Sequence, residues 1–457
     1  MNTDEYNNRE AAAVDEEEHG DAYVDEGDVA DVIPDTDEPV DEDMMDEDDI
    51  YNNREAAAVD EEEHGDAYVD EGDVADVIPD TDEPVDEDMM DEDDIVEEEE
   101  DDEDQGESSA QPGNKDEVFL EDDSIQGFFT HKEPVFSVSL HPKDQNIAVS
   151  GGGDDKGYIW RLDNGEQVAE LEKHGDSVVS AKFSTDGSFV ATGGMDGKIN
   201  VYKTDVGQKC AVLDGPDEVQ WIDWHPKGNV LLAGANDASL WMWSLPNGEF
   251  MNVFNGHSAP VTCGRFTNSG KNIISGSEDG SLIIWDPKSA SIVRQFTPDD
   301  ERFHKEGITA LAIAKDDQVI LTGSMDSTAK LVHANGSILG SLENATESVE
   351  AVGLCSVLPL AATGSVDGSL SIWDINTMRL RTTLNHEDAV TKLMWHENSP
   401  MITSVSLDCT VRTWDARTGE AVRVWKGHQE GIMDFALTHD GKTVVTASDD
   451  GCCLVFA

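Results

Sequence analysis

Histidine paired with a carboxylate is the commonest acid–base device in enzymes, and this chain carries such pairs at suggestive intervals. His174, His257, His304, His386 and His428 each precede an aspartate by 22 residues, and His131 precedes one by 23. A catalytic constellation is needed once, whereas this pair recurs along the chain. The aspartates are Asp154, Asp196, Asp279, Asp326, Asp408 and Asp450, and two more, Asp237 and Asp367, continue the series with Gly215 and Ala345 in the histidine's place. All eight lie in Gly/Ser-rich turns, six residues before an aromatic or large apolar residue, at spacings of 42, 41, 42, 47, 41, 41 and 42 residues. Repetition at that interval makes them parts of a scaffold. His141, His225, His396 and His439 fall in another repeated turn, His19 and His64 lie in an acidic leader, and only His333 is left over. The chain shows no nucleophile elbow, phosphate-cradling loop or clustered metal-ligand pattern. The Gly-rich stretch at 150–155 coincides with a repeat turn and opens no helix. The expectation is a protein that is not an enzyme and needs neither cofactor nor metal.

A unit of about 40–45 residues with one such turn is a sheet of four short strands, a propeller blade. One blade cannot bury both faces of its sheet, so several must stack around an axis. Eight signals predict an all-β, eight-bladed β-propeller. Residues 124–129 stand where the outermost strand belongs, and Ala457 follows a third strand directly. The first segment of the fold is therefore expected to complete the last blade and close the ring. This makes 124–457 one domain.

Residues 1–123 obey different physics. They hold 56 acidic residues against Arg9, Arg54 and Lys115, which is −53 of the formal −71. So little apolar surface cannot offset chain entropy, and a disordered acidic tail is predicted. Residues 6–50 and 51–95 within it are identical, a tandem duplication whose period mimics a blade pair but whose composition excludes one. No apolar run approaches the ~20 residues of a membrane helix, and the six cysteines form no CxxC pair, as expected of a cytoplasmic monomer with free thiols.

The blade pattern resembles the WD-repeat family, whose members carry Gly-His near one end of a blade and Trp-Asp near the other. The resemblance implies a buried network of histidine, turn aspartate, strand Ser/Thr and tryptophan in each blade. Trp160, Tyr202, Trp243, Trp285, Val332, Trp373, Trp414 and Phe456 hold the last slot; blade five ends in valine and blades three and six lack the histidine, so the network should be incomplete there. Two residues after each histidine slot stand Glu133, Asp176, Asp217, Ala259, Glu306, Glu347, Asp388 and Glu430. These loops converge on one mouth of the channel, so seven carboxylates predict a negative ring; the alternative is a local turn former. The slot preceding each turn aspartate adds Glu278 and Asp449 among apolar residues such as Met195, Met325 and Leu407. Trp221 on an inner strand is either a contact or a core residue.

Residues 124–457 carry 44 acidic and 26 basic residues, which disfavours nucleic acid and membrane surfaces and favours a basic protein. The stretches "THKEPVFSVSLHPKDQNIAVSGGGDDKGYIWRL", "WHPKGNVLLAGANDASLWMWSLPNGE", "LCSVLPLAATGSVDGSLSIWD" and "SLDCTVRTWDARTGE" resemble the angio-associated migratory cell protein family. Its fungal branch is associated with large ribosomal subunit assembly. The resemblance implies a chaperone for the basic N-terminal segment of a newly made ribosomal protein of the L10 type. A scaffold in signalling or migration and a histone chaperone are the rival readings.

Overall fold

The computed structural model describes residues 121–457. The expectations about the disordered tail and its repeated halves lie outside the described residues. Among the described residues there are 32 strands and no helix, arranged as eight four-stranded antiparallel sheets. Seven sheets follow chain order from innermost to outermost strand, as in blade four, where Cys263–Phe266, Ile273–Gly276, Leu282–Asp286 and Ser291–Phe296 pair in succession. The eighth is composite. Ile432–Leu437, Val444–Ser448 and Cys453–Phe456 come from the end of the chain, and Gln126–Phe128 adds the outermost strand, with Gln126 opposite Val455 and Phe128 opposite Cys453.

The order of strands explains the sequence pattern of each blade. The second and third strands are covered on both faces by neighbouring blades, so they read as nearly continuous apolar runs. Ile273–Gly276 is buried throughout, whereas the outermost Ser291–Phe296 is exposed except for Phe296. Glycine in the second strand lets blades approach. A Cβ on Gly151 or Gly193 would fall 2.5 or 2.8 Å from Val178 or Val219, the first residue of the next blade's inner strand.

Hydrogen bonds bind the blades around the channel. Thr391 donates to the Ile432 carbonyl at 2.6 Å, and Trp224 Nε1 donates to the Lys182 carbonyl at 3.1 Å. At closure, the Val138 N–H donates to Asp434 of blade eight at 2.9 Å. The repeated-turn histidines clip the opposite end: His141 Nε2 sits 3.0 Å from the Gly187 carbonyl and His225 Nε2 sits 3.2 Å from that of Gly270, each in the next blade's turn.

Candidate partner-binding face

Blade seven shows how the repeat builds its turn. Trp414 Nε1 donates to Ser404 Oγ at 2.9 Å, and Ser404 Oγ lies 2.8 Å from His386 Nε2. His386 Nδ1 lies 2.9 Å from Asp408. A carboxylate can only accept, so Nδ1 carries the proton and Nε2 accepts from serine. Burial pushes the imidazole below its usual value and outweighs the pull of Asp408, which leaves it neutral. Burial would raise the Asp408 carboxyl, but hydrogen bonds from His386 and Thr410 overcome it and hold the group well below the carboxylate range. Such groups are locked rather than poised for proton transfer.

The other blades vary this theme. His131, His174, His304 and His428 make the same two bonds at 2.6–3.1 Å. In blade four His257 Nδ1 bonds Ser281 at 2.9 Å and stands 3.5 Å from Asp279. In blade one Trp160 Nε1 is buried without a partner among the described residues, and the indole stacks on Phe128. Blade three replaces the histidine by an arrangement that slot counting did not anticipate. Trp241 packs over Gly215, where a Cβ would fall 2.5 Å from its ring, and donates to Ser239, which bonds Asp237. Blade six lacks the ring altogether, and Thr346 takes Asp367 through its N–H and hydroxyl at 2.7 and 2.9 Å.

These turns carry the carboxylates of the candidate face. Glu133, Asp176, Asp217, Glu306, Glu347, Asp388 and Glu430 are exposed, as is Glu278, while Asp449 is half-buried. Asp176 and Asp388 also accept the next residue's N–H at 2.7 Å, so a turn-forming role coexists with exposure there. A serine missed by slot counting pins the loop in blades four to eight. Ser277, Ser324, Ser365, Ser406 and Ser448 each donate to the carbonyl of the slot residue at 2.9–3.1 Å. In every case the same oxygen accepts the N–H of the turn aspartate. Its signal was present as a serine two residues before the aspartate.

Trp221 does not belong to this face. It is 8% exposed, packs over Gly234 and Gly264, and donates its indole N–H to the Val261 carbonyl at 2.9 Å. It is a core residue joining blades three and four. Met195, Met325 and Leu407 are 37, 45 and 36% exposed, leaving apolar contacts between the carboxylates.

The loops joining outermost to next innermost strand, and second to third strand, open at one end of the ring. Together they hold 24 acidic and six basic residues, a net −18 with histidine neutral. The loops at the opposite end hold nine acidic and seven basic residues. One end thus carries a charge equal to the net charge of 124–457. Four of its six basic residues, Lys156, Lys173, Arg302 and Lys426, are tied to Glu170, Asp155, Asp300 and Glu121. None of the nine candidate carboxylates forms an ion pair among the described residues. The field reaches Cys409, whose thiol is pushed up by burial and then by Asp408, Asp450, Glu430 and Asp388.

The model of the WD domain, G-beta repeat, matches residues 123–161, 165–203, 207–244, 248–286, 300–333, 378–415 and 419–456. The unmatched stretch 334–377 holds the three inner strands of blade six, and Ala345, which replaces the histidine, lies in it. The chain is 41% identical to the human angio-associated migratory cell protein over 351 residues, covering 73% of this chain and 80% of that one. It is 26% identical over 405 residues to the ribosome assembly protein SQT1 of Saccharomyces cerevisiae, covering 79% and 92%. The crystal structure of Chaetomium thermophilum Sqt1 bound to the N-terminus of the ribosomal protein L10 aligns with a TM-score of 0.69 at 29% identity, over 74% of this chain and all of that one.

Proposed function

The chain belongs to the angio-associated migratory cell protein family of WD-repeat propellers, and from that premise we propose that it is a chaperone of large ribosomal subunit assembly. In this reading it holds the basic N-terminal segment of a newly made L10-type ribosomal protein against its acidic end and does no chemistry of its own. The observation that carries the proposal is the net −18 gathered at one end of the ring. A similar propeller, the Chaetomium Sqt1, has been crystallised with such a segment.

The physical logic follows from the client's charge. A ribosomal extension built to contact RNA adheres to any polyanion until it is assembled. An acidic mouth attracts it from a distance, toward ~10⁸ M⁻¹s⁻¹ at low ionic strength, and the direct contacts set how long it stays. The carboxylates of blades five to eight, Glu306, Glu347, Asp388 and Glu430, are held on serine-pinned loops, which lowers the ordering cost of binding. Met195, Met325 and Leu407 would take the aliphatic parts of the segment. RNA competing for the same cations can release it in the cytosol without nucleotide.

Fluorescence anisotropy with a peptide of the client's first residues tests this reading. Affinity should fall steeply with added salt, and Glu133→Lys, Asp388→Lys and Glu430→Lys should each weaken it by about tenfold, ~1.4 kcal/mol. Binding that ignores salt and survives the triple reversal refutes the proposal. A histone-tail peptide bound as tightly as the ribosomal one would favour the histone-chaperone reading.

A further inference from the structure

The channel holds a second electrostatic feature, of opposite character to the mouth. A cavity of about 700 Å³ runs between the inner strands and is lined by all eight blades. The penultimate residues of those strands form one ring within it. Three consecutive blades contribute Lys182, Asp223 and Arg265 to this ring, and no other blade contributes a charge. Across the ring stand Gly353, Met394 and Ala436, and two of the three are too small to fill the space.

The cavity wall holds three carboxylates, Asp223, Glu350 and Asp434, and Glu350 accepts from the Ser348 hydroxyl, but neither cation of the ring is ion-paired with any of them among the described residues. Lys392, higher in the channel, is taken by Asp434, which also accepts the N–H groups of Val138 and Phe435. Asp223 lies between Lys182 and Arg265 and accepts the Phe266 N–H at 3.0 Å. Neither Lys182 nor Arg265 has an ion pair within 4.0 Å among the described residues. The ring therefore carries one net positive charge, facing unfilled space. Burial pushes the Lys182 ammonium below its usual value, Lys392 and Arg265 add to this, and Asp223 and Asp434 oppose it. A lysine so placed is stabilised by a nearby anion.

We propose that the channel, at the ring just inside its nearly balanced end, is a binding site for a phosphate-sized oxyanion, held by the Lys182 ammonium and the Arg265 guanidinium. A planar guanidinium offers two parallel donors to such an ion, and the ammonium supplies a second point charge. The cavity has room for the ion with several waters, each occupying about 30 Å³. Entry is from the end with nearly balanced loops, past His141 and His439, because the opposite mouth repels anions. The site is separate from the acidic face, and the inference does not rest on the ribosomal reading.

Isothermal titration with inorganic phosphate, in a buffer without oxyanions and at fixed ionic strength, reads the site directly. Saturable uptake of one phosphate per chain is expected. Lys182→Met and Arg265→Met should each weaken it at least about tenfold, while Arg265→Lys retains part of the affinity. Lys271→Met, on a loop outside the channel, should change nothing. No saturable heat overturns the proposal, as does a wild-type affinity in both methionine variants or an equal loss in Lys271→Met. Circular dichroism of each variant is expected to match the parent, since neither side chain makes a hydrogen bond or ion pair among the described residues. Should either methionine variant unfold, phosphate must still raise the parent's melting temperature beyond chloride of equal ionic strength, and no such rise overturns the site.

Discussion

In blade seven the direction of every proton is decided by what each group can do. Asp408 only accepts and Trp414 only donates, so His386 and Ser404 between them have one arrangement available. Removing the ring by His386→Ala leaves Ser404 and Asp408 without their buried partner. A loss of about 2–3 kcal/mol is expected in urea denaturation, the scale of an unsatisfied buried polar group. The pH dependence follows from two depressed groups of different kinds. His386 titrates below 6.5 in the fold, so it takes up a proton on unfolding; its contribution is complete above 6.5 and is lost as pH falls through the lower folded value. Asp326 and Asp408 titrate below 3.8, so their contribution is complete above that value and is lost in stronger acid. Melting temperature should decline in two stages, one beginning below pH 6.5 and one below 3.8. His386→Ala should shrink the first stage without abolishing it, because burial depresses His396 too. A melting temperature that is flat from pH 7 to 4 would contradict this account.

The element on which closure depends is the three-residue strand Gln126–Phe128. Its apolar payload is one ring: Phe128 is buried and stacks on Trp160 at 5.0 Å with the planes 7° apart. It also seats the strand beside Cys453 at the far end of the chain. Phe128→Ala should cost about 3–5 kcal/mol and loosen blade eight, exposing the Cys453–Phe456 edge. Phe129 is 66% exposed, and Phe129→Ala should leave stability within about 0.5 kcal/mol. Hydrogen exchange at Val455, whose N–H and C=O face this strand, separates the two variants; equal protection in both would mean the strand is dispensable. Counting by repeats located this element because blade eight otherwise lacks an outer strand. The same counting left Trp221 open between contact and core. Its inner-strand position is shared with Ser137 and Lys392, and only the approach of Gly234 and Gly264 shows the indole covered.

At the scale of the molecule, charge is segregated by strand order. The acidic and the nearly balanced loops alternate along the chain, so composition reports only their sum, while an antiparallel meander sends alternate loops to opposite ends. The distance between ends then matters, since charges are screened beyond about 10 Å at 0.1 M salt. Lys227→Glu and Lys271→Glu, on the balanced end, should leave affinity for a basic peptide within about twofold. Reversals on the acidic end should mainly slow association. Stopped-flow measurement of both sets checks this, and an equal effect from the two ends would mean that net charge alone drives binding.

Eight blades, their turn aspartates, the composite last sheet and the seven acidic loop positions could all be read from the chain, because a repeat prints the same local requirements at a fixed interval. What spacing could not decide lies in side-chain contacts, within a blade or between blades. The indole that replaces a histidine over Gly215 and the serines that pin the acidic loops join segments of one blade, and the unmatched Lys182 and Arg265 come from two blades, so each depends on which residues the fold brings together. Local sequence determines how a blade is built. Only the closed ring decides which residues share a mouth, a channel wall or a core, since burial and electrostatic contact are set by distance in space.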